Sequence, residues 1–431
     1  MTNGQDGAVI SSLRGREILD SRGNPTVEAE IHLTGGATAI AAAPSGASTG
    51  TREAVELRDG DKRLAGKGVR RAVSHINNDI AAAIIGADAS QQGDIDATLI
   101  SLDGSKDKSR LGANALLAVS LATAKAAAIH AGVPLHVHLG GGNTMPVPMM
   151  NILNGGAHAA NNLDIQEFMI MPLGFNDFAS ALFAGTEVFH VLRRLLLSRG
   201  DTTAVGDEGG FAPNLRGGTT EALDLLTEAI TRAGYTPGCD IAIAMDCAAS
   251  EFYRDGVYVL KTENFRGDAA MLVELLARWA NTYPIVSIED ACAEDDWDGW
   301  KILSERLADK LQLVGDDLFV TNCALLQRGI DQQIGTALLA KPNQAGTVTE
   351  TQQAVRLAQQ AGYGVVLSHR SGETEFSEIA DMAVAYDAGQ IKTGAPCRGE
   401  RVAKYNRLLR IADELTVTAP YRGVATLARQ P

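Results

Sequence analysis

The sequence predicts an α/β protein with two domains, an N-terminal α+β unit followed by a closed β/α barrel. Its 431 residues exceed what a single core of ordinary size accommodates. A glycine-rich break, LGGGN at Leu139–Asn143, interrupts the chain, and the sequence pattern changes after it. From there on, short apolar runs recur, and most of them end in a charged residue. We therefore place the domains at residues 1–139 and 144–431.

The N-terminal domain mixes strand and helix patterns. Val27–Leu33 (VEAEIHL) alternates like a half-buried strand, and the Gly/Ser-rich segment PSGASTGT follows it as a loop. Alanine-rich stretches with helical spacing cover Val69–Ile85 and Ala113–Ala131. The most apolar stretch, Leu111–Leu135, contains a lysine and a histidine, which predicts a packed helix and not a membrane span.

The second domain repeats an apolar run and a helix-like segment at intervals of roughly 20–45 residues. This rhythm predicts parallel strands joined by crossover helices, and seven repeats suggest a closed barrel. The polar residues at the run ends are Glu208, Asp246, Glu289, Asp316, Lys341, Arg370 and Lys392. Because the carboxyl ends of barrel strands gather on one face, we expect these residues to converge on one site.

Three successive run ends are acidic, namely Asp246, Glu289 and Asp316. Carboxylates that converge in a dry pocket repel one another and require a cation. An oxygen-only donor set suits a hard ion such as Mg²⁺. A helix cap or a solvated loop would explain any one of these acids alone, but explains three consecutive strand ends less well.

The later run ends are basic. A lysine at the position of Lys341, beside a metal, can have a lowered pKa and act as a base, although a buried lysine–acid pair is the alternative. His369–Gly372 (HRSG) offers a guanidinium, a hydroxyl and backbone N–H groups near a helix start to a phosphate, although ordinary turns also contain such residues. Glu208, within GDEGG, is a candidate general acid or a solvated acid in a turn.

The net charge and the cysteine content indicate which partners and which cellular compartment to expect. The formal net charge of −14 argues against nucleic acid or an anionic membrane as a partner. The five cysteines form no CxxC pair and no zinc knuckle, and their number is odd and low for the length. The N-terminus has no basic segment followed by an apolar one. We expect a cytoplasmic protein.

Several longer segments are similar to those of one family. They are REILDSRGNPTVE, PSGASTG, MNILNGGAHA, NNLDIQEFMIMP, VGDEGGFAP, AMDCAASEFY, SIED, VGDDLFVTN, LSHRSGETE, GQIKTGAP and RVAKYNRLLRI. With them the chain resembles the enolase family from about Leu13 to Leu415. The resemblance implies an N-terminal domain that caps the barrel. It also implies reversible dehydration of 2-phosphoglycerate to phosphoenolpyruvate, by removal of a proton next to a carboxylate and then loss of hydroxide.

The resemblance also implies roles for individual residues. Two Mg²⁺ ions are expected, the tighter one held by Asp246, Glu289 and Asp316, and the second arriving with substrate and reached by Ser48. Lys341 matches the base, Glu208 the acid and Glu167 the partner of the acid. The expected substrate contacts are Gln166, Arg370, Ser371 and Lys392, and the residues expected to line the pocket are His158 and His369.

The family resemblance further implies a homodimer or a dimer-based oligomer. In it, Arg22 faces the partner's Asp413 and Glu28 faces the partner's Arg410. The expected small-molecule partner is a phosphorylated or phosphono carboxylate.

Departures from the family pattern cluster near the expected site. Pro342 and Ala345 replace bulky apolar residues, Ala291 and Cys292 follow the SIED motif, and Phe376 stands where aspartate is usual. Pro342 predicts an extended Lys341 and an altered chain path just beyond it. A paralogue that dehydrates a phosphonate analogue, of the carboxyphosphonoenolpyruvate-forming type, is therefore a second candidate. A surface or scaffold binding role is a candidate of another class.

Overall fold

The computed structural model describes residues 7–47, 49–415 and 419–428. In the N-terminal domain an antiparallel sheet has the order β1-β2-β3, and helices pack against it. The elements of this domain are β1 (Ile10–Leu19), β2 (Pro25–Leu33), β3 (Thr38–Ala42), α1 (Arg70–His75), α2 (Ala81–Ile84), α3 (Gln92–Asp103), α4 (Ala113–Ala131) and α5 (Leu135–Leu139).

Helix α4 is the core of this domain. It packs against β2 and β3, and its alanines permit a close approach to the sheet. On length and composition α4 could cross a membrane, but 83% of its apolar window is buried inside the molecule. This burial confirms the predicted packed helix. The predicted helix over Val69–Ile85 is also present, as α1 and α2 joined by a π-helical turn at Ile76–Ile80.

The C-terminal domain contains a closed barrel of eight strands, with helices outside it and a small three-stranded sheet. The strands are β4 (Val147–Asn154), β5 (Glu167–Pro172), β6 (Ile241–Asp246), β7 (Tyr253–Arg254), β8 (Val257–Leu260), β9 (Phe265–Gly267), β10 (Ile285–Glu289), β11 (Gln312–Gly315), β12 (Ala337–Ala340), β13 (Gly364–Ser368) and β14 (Gly389–Lys392). The helices are α6 (Phe178–Arg199), α7 (Gly218–Arg232), α8 (Ala269–Thr282), α9 (Trp297–Leu307), α10 (Cys323–Gln332), α11 (Pro342–Ala345), α12 (Val348–Gln360), α13 (Glu378–Ala385) and α14 (Gly399–Leu415).

The barrel follows the predicted rhythm at six of the seven run ends. Asp246, Glu289 and Lys392 are the last residues of β6, β10 and β14. Asp316 and Lys341 directly follow β11 and β12, and Arg370 lies two residues after β13. These strands pair in parallel, so their carboxyl ends lie on one face of the barrel as expected.

The barrel differs from the prediction at its start. Residues 204–208 were expected to form a strand, but Val205 makes only an isolated bridge with Phe211, and Glu208 lies in a turn. β4 and β5 complete the barrel instead, and β5 runs antiparallel to both of its neighbours. Because β5 runs in the opposite direction, its amino end reaches the site face. Glu167 therefore lies at the start of a strand, where a search for strand ends does not find it.

The N-terminal domain covers the carboxyl-end face of the barrel. Ser45 and Gly372 exchange two backbone hydrogen bonds of 2.8 Å. Beside this bridge, Arg52 donates to the carbonyl oxygen of Glu294 at 2.9 Å. These contacts close the site from above.

Candidate active site

The structure brings the predicted site residues together in one cleft at the carboxyl-end face of the barrel. The residues that line it include His158, Gln166, Glu167, Glu208, Asp246, Asp316, Lys341, His369, Arg370, Ser371 and Lys392. Glu289 is fully buried and joins this group through Lys392. Ser48, expected to reach a second metal ion, lies outside the described residues.

Lys392 is surrounded by carboxylates. Its Nζ lies 2.9 Å from both carboxylate oxygens of Glu289, and 3.1 Å from an oxygen of Asp246 and an oxygen of Glu167. Burial and the charge of Asp246 raise the pKa of Glu289 well above its ordinary value. One ammonium cannot neutralise three buried carboxylates, so this part of the cleft favours an additional cation.

Asp316 is held by two donors. The Lys341 ammonium forms an ion pair with one oxygen, and Gln344 donates from Nε2 to the other at 2.8 Å. Burial alone would lower the pKa of Lys341, but the Asp316 charge outweighs it and the pKa is raised. This differs from the lowered pKa considered for a base beside a metal, and it matches the alternative, a buried lysine–acid pair. The difference arises because the carboxylate beside Lys341 stabilises the ammonium.

The backbone around Lys341 explains how Pro342 is accommodated. Lys341 is extended, with φ −119° and ψ 113°, which confirms the predicted conformation. Pro342 is the first residue of α11, a position whose N–H has no partner within a helix, so the proline removes no hydrogen bond there. The expected change of chain path therefore loses its main physical reason. Ala345, at the end of α11, lines a cavity of about 240 Å³.

Glu208 lies among two histidines and an amide. Asn151 donates from Nδ2 to its Oε2 at 3.0 Å, and His369 Nε2 and His158 Nδ1 lie 3.3 and 3.6 Å from its Oε1. Burial alone would raise the pKa of Glu208, but His369 and His158 hold it well below its ordinary value. Burial and the Glu208 charge raise the pKa of Glu167 to about 7. In the protein alone, Glu167 is therefore the carboxyl group of this pair that keeps a proton near neutral pH.

The turn that holds Glu208 depends on its glycines. Gly209 has φ +88°, a conformation that residues with a side chain rarely adopt. A Cβ atom on Gly206 would lie 2.6 Å from the carbonyl oxygen of His158. The GDEGG pattern thus reflects a tight turn packed against the cleft.

The expected phosphate cradle has a different form from the one predicted. Arg370 donates from NH1 to Glu53 of the N-terminal domain at 2.7 Å, and its own N–H is bound by Glu373. No helix starts directly after this segment, because α13 begins only at Glu378 and the Gly372 N–H is bound to Ser45. The guanidinium and the Ser371 hydroxyl remain as anion-binding groups, without a helix start behind them.

Two residues of the expected dimer interface have partners within the chain. Arg22 donates from NH1 to the Ser371 hydroxyl at 3.2 Å and from NH2 to the carbonyl oxygen of Ser45 at 3.1 Å. Glu28 forms an ion pair with Arg16 at 2.5 Å. The contacts with the partner's Asp413 and the partner's Arg410 stay predictions.

Two groups of acidic and histidine side chains have ligand atoms close enough to share a metal ion. Asp290, Asp316 and Asp317 place ligand atoms within 4.8 Å of one another, as do His158, Glu167 and Glu208. Asp290 already accepts the N–H groups of Asp316 and Asp317 at 3.0 and 2.8 Å, so its carboxylate stabilises the loop. Among the described residues, Asp246, Glu289 and Asp316 do not form a group of this kind, so their role as metal ligands stays a prediction.

Sequence reasoning missed several residues of the site. Glu53 contacts Arg370 from a loop of the other domain, and Gln344 contacts Asp316 from a short helix. Arg401, on α14, reaches the underside of the site and was assigned no role. Strand ends and glycine-rich turns predict site residues on the barrel face. They do not predict residues that reach the site from a second domain or from a helix.

Both parts of the chain match models of known protein families. Residues 10–139 match the family model described as enolase, N-terminal domain. Residues 142–430 match the one described as enolase, C-terminal TIM barrel domain.

Proposed function

Because the chain belongs to the enolase family along both of its domains, we propose that it is a magnesium-dependent hydro-lyase that interconverts 2-phosphoglycerate and phosphoenolpyruvate. The observation that carries the proposal is the cleft itself. In one buried space it combines a lysine paired with a carboxylate, a carboxyl pair that holds a proton near pH 7, and an arginine suited to a phosphate.

The proposed reaction begins with proton transfer to Lys341. Loss of the ion pair with Asp316 would leave Lys341 as a neutral amine, which takes the proton from C2 of the substrate while the electron pair of that bond passes into the carboxylate. The bond from C3 to the hydroxyl oxygen then breaks as the C2–C3 double bond forms. The leaving hydroxide takes a proton from the Glu167–Glu208 pair and departs as water, which balances the reaction.

The residues that would hold the metal are Asp246, Glu289 and Asp316, whose all-oxygen donor set and excess negative charge fit Mg²⁺. When bound, Mg²⁺ would offset the charge that builds on the substrate carboxylate and would compete with Lys341 for Asp316. Lys392 adds a fixed positive charge in the same place. Arg370 and Ser371 would bind the phosphate.

Two substitutions separate the proposed base from the proposed acid. Lys341→Ala should stop exchange of the C2 proton with solvent deuterium, because the proton acceptor is gone. Glu208→Gln should retain this exchange and lose net dehydration, because only delivery of the proton to the leaving group fails. Lys301→Ala, at an exposed lysine on α9, serves as the control and should keep both activities. The reverse pattern for the first two variants would exchange the assigned roles.

A second candidate substrate is a phosphonate with CH₂ in place of the bridging oxygen. The observation that favours it is the cavity of about 240 Å³ beside Ala345, one residue from the Gln344 that holds Asp316. Empty space beside α11 would allow Asp316 and Lys341 to take slightly different positions. Turnover measured side by side on 2-phosphoglycerate and its phosphonomethyl analogue distinguishes the two candidates, since the true substrate should show the higher kcat/KM.

A further inference from the structure

Arg401 extends from α14 into the underside of the cleft, where it is completely buried. Its NH1 group donates to Nδ1 of His369 and to the carbonyl oxygen of Arg370, each at 2.6 Å. Its NH2 group donates to the carbonyl oxygen of Ser371 at 2.5 Å and to that of Asp207 at 3.2 Å. A single guanidinium thus has four acceptors in the site.

These four acceptors belong to two separate segments of the chain. His369, Arg370 and Ser371 follow β13 and carry the anion-binding groups. Asp207 belongs to the glycine-rich turn and directly precedes Glu208. The rigid fork of Arg401 therefore fixes the turn of the acid relative to the segment that binds the anion.

The contact with His369 also determines where the imidazole carries its proton. A guanidinium only donates hydrogen bonds, so Nδ1 of His369 must accept and is unprotonated. The ring is neutral, since burial, with a smaller contribution from Arg401, lowers its pKa to about 4. The proton of the neutral ring is then on Nε2, the nitrogen that lies 3.3 Å from Glu208.

The distance between Nε2 and Glu208 is long for a hydrogen bond, and within the described part of the chain Nε2 has no hydrogen-bond partner of good geometry. Such contacts commonly shorten only when substrate binds. A ring held in the other tautomer would present a lone pair to the Glu208 carboxylate, and the contact would become repulsive. The tautomer set by Arg401 therefore determines whether His369 can donate a hydrogen bond from Nε2 to Glu208.

We propose that Arg401 is a positioning residue that fixes His369 as the Nε2–H tautomer and holds the Glu208 turn in register with Arg370 and Ser371. This inference rests on the proposed function for its effect on catalysis. Its effect on the imidazole does not depend on any substrate. The two parts can therefore be tested separately.

The tautomer is measured first, in the full-length protein without substrate. Nitrogen-15 NMR of histidine-labelled protein at pH 7 reports which ring nitrogen carries the proton, and His369→Asn identifies the signals of His369. We expect an unprotonated Nδ1 and a protonated Nε2 in the unmodified protein. In Arg401→Met, the Nδ1–H tautomer should appear. A proton on Nδ1 in the unmodified protein would overturn the inference, whatever the substrate proves to be.

The catalytic effect is measured with the exchange and dehydration assays. Arg401→Met should slow dehydration by roughly 10- to 100-fold, the range known for residues that orient metal ligands through hydrogen bonds, while C2 exchange changes by less than about 3-fold. A merely structural role would reduce both rates equally, since it would only lower the folded fraction. Equal reduction, with an unchanged His369 tautomer, would therefore contradict the proposal.

Two further variants keep the test decisive if Arg401→Met folds poorly. Arg401→Lys keeps the charge and loses the fork, so it should show the same selective loss of dehydration in a smaller degree. Arg407→Lys is the matched control, because Arg407 lies on the same helix and pairs with Asp381 and Glu414, outside the cleft. It should leave both rates and the His369 tautomer unchanged. A selective loss of dehydration in Arg407→Lys would mean that the effect comes from α14 in general.

Discussion

Two neighbouring layers inside the barrel are equally buried and yet differ in how completely their polar groups are paired. In the deeper layer Gln312 and Gln390 exchange amide hydrogen bonds of 2.8 and 2.9 Å, and Gln312 also donates to Ser287 at 3.1 Å. All three residues are fully buried. A closed network of neutral groups of this kind stabilises a core without requiring a ligand.

The layer above it lies on the same strands. Glu289 and Lys392 come two residues after Ser287 and Gln390, and Asp316 comes just past the end of the strand that holds Gln312. Here charged groups replace amides, and one ammonium faces three carboxylates. Gln166 Oε1 and His369 Nε2 have no hydrogen-bond partner among the described residues. Incomplete pairing at comparable burial is what we expect of a layer that binds ligands, at some cost in stability.

The largest expected effect comes from the upper layer, called the charged layer here, which contains Glu167, Asp246, Glu289, Asp316, Lys341 and Lys392. Glu289→Gln keeps the shape of the side chain and leaves Lys392 two carboxylates, so we expect the metal-free protein to unfold within about 1 kcal/mol of the unmodified one. Turnover should fall at least about 1000-fold, because the metal site loses a charged ligand. Excess chelator should have the same effect on the unmodified protein. Full activity in chelator would refute the metal assignment, and strong destabilisation by Glu289→Gln would remove the contrast between the layers.

The pH dependence of stability sharpens the comparison within the charged layer. Burial and the Glu208 charge raise the pKa of Glu167 to about 7, so between about pH 4.5 and 7 the folded protein holds a proton that the unfolded chain has released. The free energy of unfolding should therefore fall as pH rises through this window, by up to about 3 kcal/mol from this residue. Urea unfolding of the metal-free protein and of Glu167→Gln isolates the effect. A difference between the two that stays constant with pH would contradict it.

In the deeper layer of neutral groups, Ser287, Gln312 and Gln390, a substitution should lower stability and leave activity unchanged. Gln312→Leu removes the donor to Gln390 Oε1, while Gln390 Nε2 keeps the carbonyl oxygen of Thr426, and should lower the free energy of unfolding by about 2 kcal/mol. Activity per folded molecule should remain, since no group of the cleft is changed. The double variant Gln312→Leu with Gln390→Leu removes both partners and should lie closer to the unmodified protein in urea unfolding. Additive losses from the two changes would show that the amides are not coupled.

The charged layer was largely predictable, whereas its surroundings were not. Asp246, Glu289, Asp316 and Lys341 were identified because parallel strands bring their ends to one face, a relation that sequence spacing reveals. Glu167 required the family resemblance, because its strand runs the other way.

The residues around the charged layer were hidden for related reasons. Arg401 lies on a helix, where a charged residue is ordinarily expected to face solvent, and Glu53 arrives from the other domain. The direction of the Lys341 pKa shift stayed open in the sequence, between a lowered value and the raised value of a buried lysine–acid pair. It depends on the contact with Asp316, which only the folded structure defines.

The smallest expected effect lies at the edge of the charged layer, where α11 supports it. Ala345 faces the cavity of about 240 Å³, and the adjacent Gln344 donates both to Asp316 at 2.8 Å and to Glu53 at 3.3 Å. Filling the cavity should restrict Gln344 and therefore the Asp316–Lys341 pair. Since a misplacement of about 1 Å can change a rate roughly 100-fold, we expect the smaller shift here to matter by roughly 2- to 10-fold.

We therefore expect Pro342→Val with Ala345→Ile to raise kcat/KM on 2-phosphoglycerate relative to its phosphonomethyl analogue. Ala345→Ile alone should produce most of the change, because Pro342 occupies a helix position where its missing N–H costs nothing. Pro342→Val alone is the matched control. If the unmodified protein already turns over 2-phosphoglycerate efficiently and the double change slows it, the α11 segment is already adapted to that substrate. In that case the cavity has no part in specificity, which is set by the residues of the cleft alone.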